Sequence, residues 1–156
     1  MTAAPEIYFE DFFEGQEIPF GSVTVDREEV LDFARRYDPQ SFHVDEAAAA
    51  KSIYGGIIAS GWHTGAMMMR LLCEGLFLRA ASMGSPGLDQ LRWIRPVRPG
   101  DTLTLTGKVL SAKQSRSKPD RGSVDISYKV TNQHGDLAMT FQAVTLFARR
   151  NQGEMN

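Results

Sequence analysis

Between Ser60 and Ala80 the chain runs without a proline, and Trp62, Ala66, Met67, Met69, Leu72, Cys73, Leu76 and Phe77 fall on nearly every side of a helical wheel. A helix that is apolar around most of its circumference has to be enclosed by other elements. This stretch therefore predicts one long central helix with the rest of the fold built around it. His63, Arg70 and Glu74, spaced by seven and four, share a single polar stripe on which Arg70 and Glu74 can pair.

The covering surface follows in sequence. After the small-residue loop Ser82 to Gly87, the apolar residues switch to a period of two. Leu91 to Ile94 is the first strand, and Arg95-Pro96-Val97-Arg98-Pro99-Gly100-Asp101 is a rigid turn. Leu103, Leu105 and Val109 then alternate with threonines and Lys108. Val124, Ile126, Tyr128 and Val130 form a further face, and Leu137 to Phe147 ends the sheet. Ahead of the helix lie an extended segment, Ile7 to Phe13, and a strand from Glu17 to Val25. A short amphipathic helix, capped by Asp26 and carrying Val30, Phe33, Ala34 and Tyr37, follows them. Pro39 stops that helix and leaves Asp38 at its C-terminal edge. A one- or two-turn helix is expected from Asp45-Glu46 through Ala50. The pattern is α+β, a curved antiparallel sheet wrapped on one helix. Because the last strand is apolar on both faces around Ala143, Val144 and Leu146, a second copy is expected against it, making a homodimer or a dimer-based oligomer.

Length and composition narrow the function classes. At 156 residues and 42% hydrophobic, the chain suits a single core. Its first basic residue is Arg27, so the acidic N-terminus does not read as a secretory leader, and Arg70 closes the longest uncharged stretch, which Gly, Ser, Thr and His already interrupt. No membrane association is expected. One cysteine, Cys73, excludes an internal disulfide and a multi-cysteine zinc site, and a cytoplasmic location is the default expectation. Residues 1–50 hold 12 acids against 3 bases and the remainder 7 against 14, but the bases are scattered among strand positions, so nucleic acid is not an expected partner.

Asp38-Pro39-Gln40-Ser41-Phe42-His43 is the richest local chemistry, an acid and an imidazole brought together across a tight turn. Such a pair can hold a water molecule, one group taking its proton while the other orients it. Ser60-Gly61 opens the central helix, where backbone amides lack intrahelical partners and the dipole favours a developing oxyanion. Ser60 can equally serve as a plain N-cap. Acid, imidazole and oxyanion donor are the parts needed to hydrate an α,β-unsaturated thioester.

These residues resemble the MaoC-like dehydratases, the (R)-specific enoyl-CoA hydratases of the hotdog fold. The resemblance is carried by Phe33-Ala34, Asp38 through His43, Val44-Asp45 with the Ala run, Gly55 through Gly61, and Arg95 through Leu103. The acid and His of the family pattern fall on Asp38 and His43, while Gln40 and Ser41 stand at its Asn and Pro positions and proline is displaced to Pro39. The resemblance implies a single hotdog domain over residues 1–156 with short helical overhang segments. It also implies reversible syn hydration of a trans-2-enoyl thioester, of coenzyme A or an acyl carrier protein, to the (R)-3-hydroxyacyl product, with no metal or redox cofactor. In that scheme Asp38 accepts the water's proton, His43 orients the water and shares the proton transfer to the α-carbon, and the Gly61 amide stabilises the enolate oxygen.

Other candidates stay open on sequence alone. Trp62, Met67, Met68 and Met69 can line an acyl tunnel or simply fill the core. Lys108, Lys113, Arg116, Lys118 and Arg121, or Arg92, Arg95 and Arg98, can meet coenzyme A phosphates or water. His63 ranks below His43 as a catalytic imidazole, His134 reads as exposed, and Cys73 as a packing residue. The alternatives are a hotdog thioesterase, for which Glu74 is the one acid on the helix, and a non-catalytic acyl-binding or accessory subunit.

Overall fold

The computed structural model describes residues 3–150. A 3-10 turn, Phe9–Asp11, precedes β1 (Glu17–Thr24), and α1 (Arg27–Tyr37), α2 (Ser41–Val44), α3 (Glu46–Lys51) and α4 (Gly61–Leu72) follow. α4 continues into a π-helical turn, Cys73–Phe77. The strands β2 (Asp89–Trp93), β3 (Thr102–Gln114), β4 (Arg121–Thr131) and β5 (Leu137–Ala148) complete an antiparallel sheet in the order β1-β3-β4-β5-β2. This is the α+β hotdog architecture, with α4 as its filling.

The packing follows from the period-two faces. Leu103, Leu105 and Val109 on β3 and Val124, Ile126 and Val130 on β4 are fully buried, and Met68, Leu72 and Leu76 from the helical segment meet them in one core. Asp26 caps α1 through its side chain on the Glu29 amide, 3.0 Å, as the sequence led us to expect. Asp45 likewise caps α3 on the Ala48 amide. Among the described residues no helix is long and apolar enough to cross a membrane.

Three local expectations need correction. Ile7 to Phe13 is not extended throughout, because the Asp11 carboxylate accepts the Tyr8 amide at 2.9 Å and closes the 3-10 turn. The central helix stops at Phe77 and not near Ala80, since Arg79 and Ala80 turn back on Leu76 and Phe77, and Ala80 bridges to Ile7. Nor is that helix enclosed on all sides. Trp62 and Met69 remain 62% and 49% exposed, and together with Ala66 they form a stripe at helical spacing that a single chain leaves uncovered.

Candidate active site

Pro39 ends α1, so Asp38 becomes its C-cap, with its amide on Ala34 O at 2.8 Å and its side chain turned away from the helix. Ser41 to Val44 then form the short helix α2, where the sequence alone suggested a tight turn. That turn of helix carries His43 inward until it is 4% exposed. His43 Nδ1 lies 2.7 Å from the Ile58 carbonyl, an oxygen that can only accept, so Nδ1 carries the proton and donates. Nε2 faces Asp38 Oδ2 at 3.2 Å. In the neutral ring Nε2 is therefore a lone pair beside a carboxylate, an arrangement that calls for a shared proton or a water donating to both.

Asp38 is held from two further sides. Ser60 Oγ donates to Oδ2 at 2.7 Å, and the Gln40 amide donates to Oδ1 at 2.7 Å. Partial burial pushes the Asp38 carboxyl upward, but the Gln40 and Ser60 donors and the adjacent His43 outweigh it and hold it below the ordinary carboxylate range. Ser60 makes no side-chain cap on α4; its hydroxyl serves Asp38 instead. Gln40, which departs from the family Asn, places its amide nitrogen on the same carboxylate.

The N-terminus of α4 forms the opposite wall. The first backbone bonds to Ser60 O come from His63 and Thr64, 3.0 and 3.1 Å, and among the described residues the Gly61 amide has no acceptor. Trp93 of β2 lies directly over Gly61, its Nε1 donating to Gly61 O at 3.0 Å. A Cβ at position 61 would sit 2.4 Å from the indole, so only glycine permits this approach. Asp38, Gln40, His43, Gly61 and Trp93 border one cleft of about 450 Å³. Trp93 was not singled out by sequence; its alternation marked a strand, and nothing local pointed to a residue 32 positions upstream.

The remaining candidates separate. Trp62 and Arg95 line the cleft, whereas Met69 lines a second, apolar cavity further along α4, and Met67 and Met68 border neither. His63 turns to the other side, stacked on Phe33 with centroids 4.9 Å apart. Burial lowers its pKa against the opposing pull of Glu29, and its Nδ1 has no partner. Glu74 pairs with Arg70 at the surface and lies off the cleft. Arg121 pairs with Asp120, Arg98 bonds the Tyr54 carbonyl, and Lys108 borders a groove on the outer sheet face. His134 is exposed and Cys73 is half-buried.

A family model described as MaoC like domain matches residues 13–133. The chain is 33% identical over 109 residues to the uncharacterized protein YdeM of Bacillus subtilis (strain 168), covering 70% of this chain and 77% of that protein. The solved MaoC-like dehydratase from Rhodospirillum rubrum is similar with a TM-score of 0.85 and 38% identity, over 92% of this chain and 98% of the other. The (R)-hydratase from A. caviae involved in PHA biosynthesis is similar with a TM-score of 0.71 and 26% identity, over 87% and 97%.

Proposed function

The chain belongs to the MaoC-like domain family, and from that premise we propose that it is a hydro-lyase, adding water reversibly to a trans-2-enoyl thioester to give the (R)-3-hydroxyacyl thioester. One observation carries the reading: the Asp38–His43 pair, 3.2 Å apart, shares a cleft with Gly61, whose amide has no acceptor among the described residues. The likeness to an (R)-hydratase supports the handedness.

In this reading the thioester carbonyl rests on the Gly61 amide, where the α4 dipole favours the charge that builds on oxygen as the β-carbon is attacked. A water sits against Asp38 and His43 Nε2. Its oxygen bonds to the β-carbon while one of its protons passes into the pair. The electron pair of the double bond shifts to the thioester enolate, and the pair returns one proton to the α-carbon on the same face. One water is consumed, and the side chains end in the protonation state in which they began. Neither a metal nor a redox step enters this scheme. Ser60 and Gln40 keep the carboxylate ionised and aimed, and Arg95, at the rim, is placed to meet the anionic carrier of the acyl group.

The sequence pointed to β5 around Ala143, Val144 and Leu146 as the face for a second copy, but β5 lies inside the sheet with Val144 and Leu146 already half-buried, and in this reading the face that a second copy covers is the uncovered stripe of Trp62, Ala66 and Met69, next to the edge strand β2 with its exposed Trp93. A cytoplasmic setting and a carrier of either type, coenzyme A or acyl carrier protein, complete the proposal.

The test is the loss of conjugated enoyl-thioester absorbance when protein is added to crotonyl-CoA, with the product's configuration read afterwards. Asp38→Asn, shown to be folded, is expected to lower the rate by roughly 10²–10⁴-fold. Release of free thiol in place of hydration would replace this reading with a thioesterase, and silence in both assays would replace it with an accessory subunit.

A further inference from the structure

The peptide that joins Gly61 to Trp62 is held at its carbonyl and idle at its amide. The carbonyl, Gly61 O, accepts the Trp93 indole N–H at 3.0 Å. Among the described residues the Trp62 amide has no acceptor, and neither has the Gly61 amide before it, whereas the His63 amide after it is taken by Ser60 O at 3.0 Å. Amides of a helix's first turn point out of its N-terminus, and Gly61 and Trp62 border the cleft that holds Asp38 and His43. Two neighbouring donors are thus available at that end of α4.

Folding alone does not call for the indole's bond. In a helix that starts at Gly61, the ladder already brings the Gly65 amide to Gly61 O, so that carbonyl needs no second donor. Nor does the indole need this acceptor, because Trp93 is 46% exposed on the edge strand β2, where water can satisfy its N–H. The contact is nevertheless built from several sides. Only glycine at 61 admits the ring, since a Cβ there would lie 2.4 Å from it. Trp62 packs edge-on against the same ring, with centroids 5.3 Å apart. The Ile94 and Arg95 amides, at 2.8 and 3.2 Å from Ala138 O, fix the end of the strand that carries it.

A carbonyl that accepts a further hydrogen bond is polarised, and hydrogen bonds chained through one peptide strengthen one another. The peptide is also rigid and planar, with its N–H opposed to its C=O, so holding the carbonyl aims the amide. We propose that Trp93 is a positioning residue for an oxyanion hole of two amides: its indole fixes and polarises the Gly61–Trp62 peptide, so that the Trp62 amide joins the Gly61 amide on the thioester oxygen. The inference rests on the hydratase reading above and adds to it a second donor and the residue that aims it. Charge on that oxygen grows from the bound thioester to the enolate, so the indole acts on the chemical step more than on binding.

Two replacements remove the N–H and keep an aromatic ring: Trp93→Phe, and substitution of Trp93 by its benzothienyl analogue, in which sulfur stands in place of the N–H. Crotonyl-CoA hydration gives kcat and KM. Butyryl-CoA, saturated and so inert to hydration, is labelled with carbon-13 at the thioester carbonyl, and difference infrared spectra give the C=O stretch of the bound thioester. Both variants are compared with the parent in the same assembly state, read by sedimentation. The expected result is a kcat about tenfold below the parent with KM within about twofold, and a bound C=O stretch at higher frequency than in the parent, as befits a less polarised carbonyl. An unchanged kcat, or a stretch that stays at the parent's frequency while KM or the urea midpoint moves, would leave the ring a packing group and overturn the inference alone. If Trp93→Phe does not fold, the analogue, which keeps the outline of the indole, decides. Absence of crotonyl-CoA hydration by the parent would overturn the hydratase reading and the inference with it.

Discussion

Ser60 Oγ donates a 2.7 Å hydrogen bond to Asp38 Oδ2 across 22 residues of sequence. The last residue before α4 is thereby tied to the C-cap of α1, and the carboxylate is anchored to the same turn that presents the Gly61 amide. With Gln40 on Oδ1, both carboxylate oxygens are engaged before any water arrives.

Removing that donor has a defined direction. In the parent the Asp38 carboxyl is held below the ordinary value of about 3.9, so the carboxylate persists as pH falls through that region. Ser60→Ala lets it rise, and the acid limb of the kcat/KM profile shifts to higher pH with a loss of about tenfold at neutrality. A pH–rate profile of both proteins checks this; an unmoved acid limb would mean that the bond does not tune the site.

Gly61→Ala places a methyl group against the Trp93 indole, 2.4 Å from the ring before relaxation. The indole has to leave, losing its bond to Gly61 O, at a cost of about 1–3 kcal/mol in stability. The rate is expected to fall by roughly 10²–10³ as the amide shifts. Urea melts and tryptophan fluorescence follow the first effect, and the crotonyl-CoA assay the second. Adding Trp93→Ala should recover stability and leave the rate low.

His63 sets an acid-side dependence of stability. Its folded-state pKa is lowered, chiefly by burial, so the unfolded chain binds the proton more tightly than the native one. The contribution is complete above the unfolded value of about 6.5 and is lost as pH falls below it. His63→Phe keeps the stack on Phe33 and has no proton to bind. Its unfolding free energy should decline less between pH 7 and pH 5 than that of the parent. Equal declines in paired urea titrations would contradict the assignment.

Trp62, 62% exposed, packs edge-on against Trp93 with centroids 5.3 Å apart, at the centre of the uncovered patch. If a second copy covers that patch, Trp62→Glu buries an unpaired charge at the interface and shifts the equilibrium toward monomer. Sedimentation at micromolar protein reads the change. A parent protein that is already monomeric would remove this assembly from the picture.

Much of the architecture was legible because its signals are periodic. The central helix showed itself as an apolar wheel, and β3, β4 and β5 as alternating faces. The residues that the alternation put inward, such as Leu103, Leu105, Ile126 and Val130, are the fully buried ones. Asp26 and Asp45 announced helix starts because a cap is a local bond to the residue three positions on. What escaped was local structure dictated from elsewhere. Phe77 ends the helical run because the chain turns back to meet Ile7, and Ser41 to Val44 coil so that His43 reaches the Ile58 carbonyl.

The site divides along the same line. Asp38 and His43 lie five positions apart with a proline between them, and Gly61 opens a helix, so sequence spacing was enough to single all three out and to suggest their chemistry. Sequence could not show that Ser60 serves Asp38 and not the helix, that Trp93 closes over Gly61, or that His63 turns toward Phe33. Periodicity and caps arise from interactions between near neighbours and are written in the order of residues. A side chain's partner across the core is settled only when distant segments share one volume, and in this fold it is the wrapping of the sheet around α4 that brings them there.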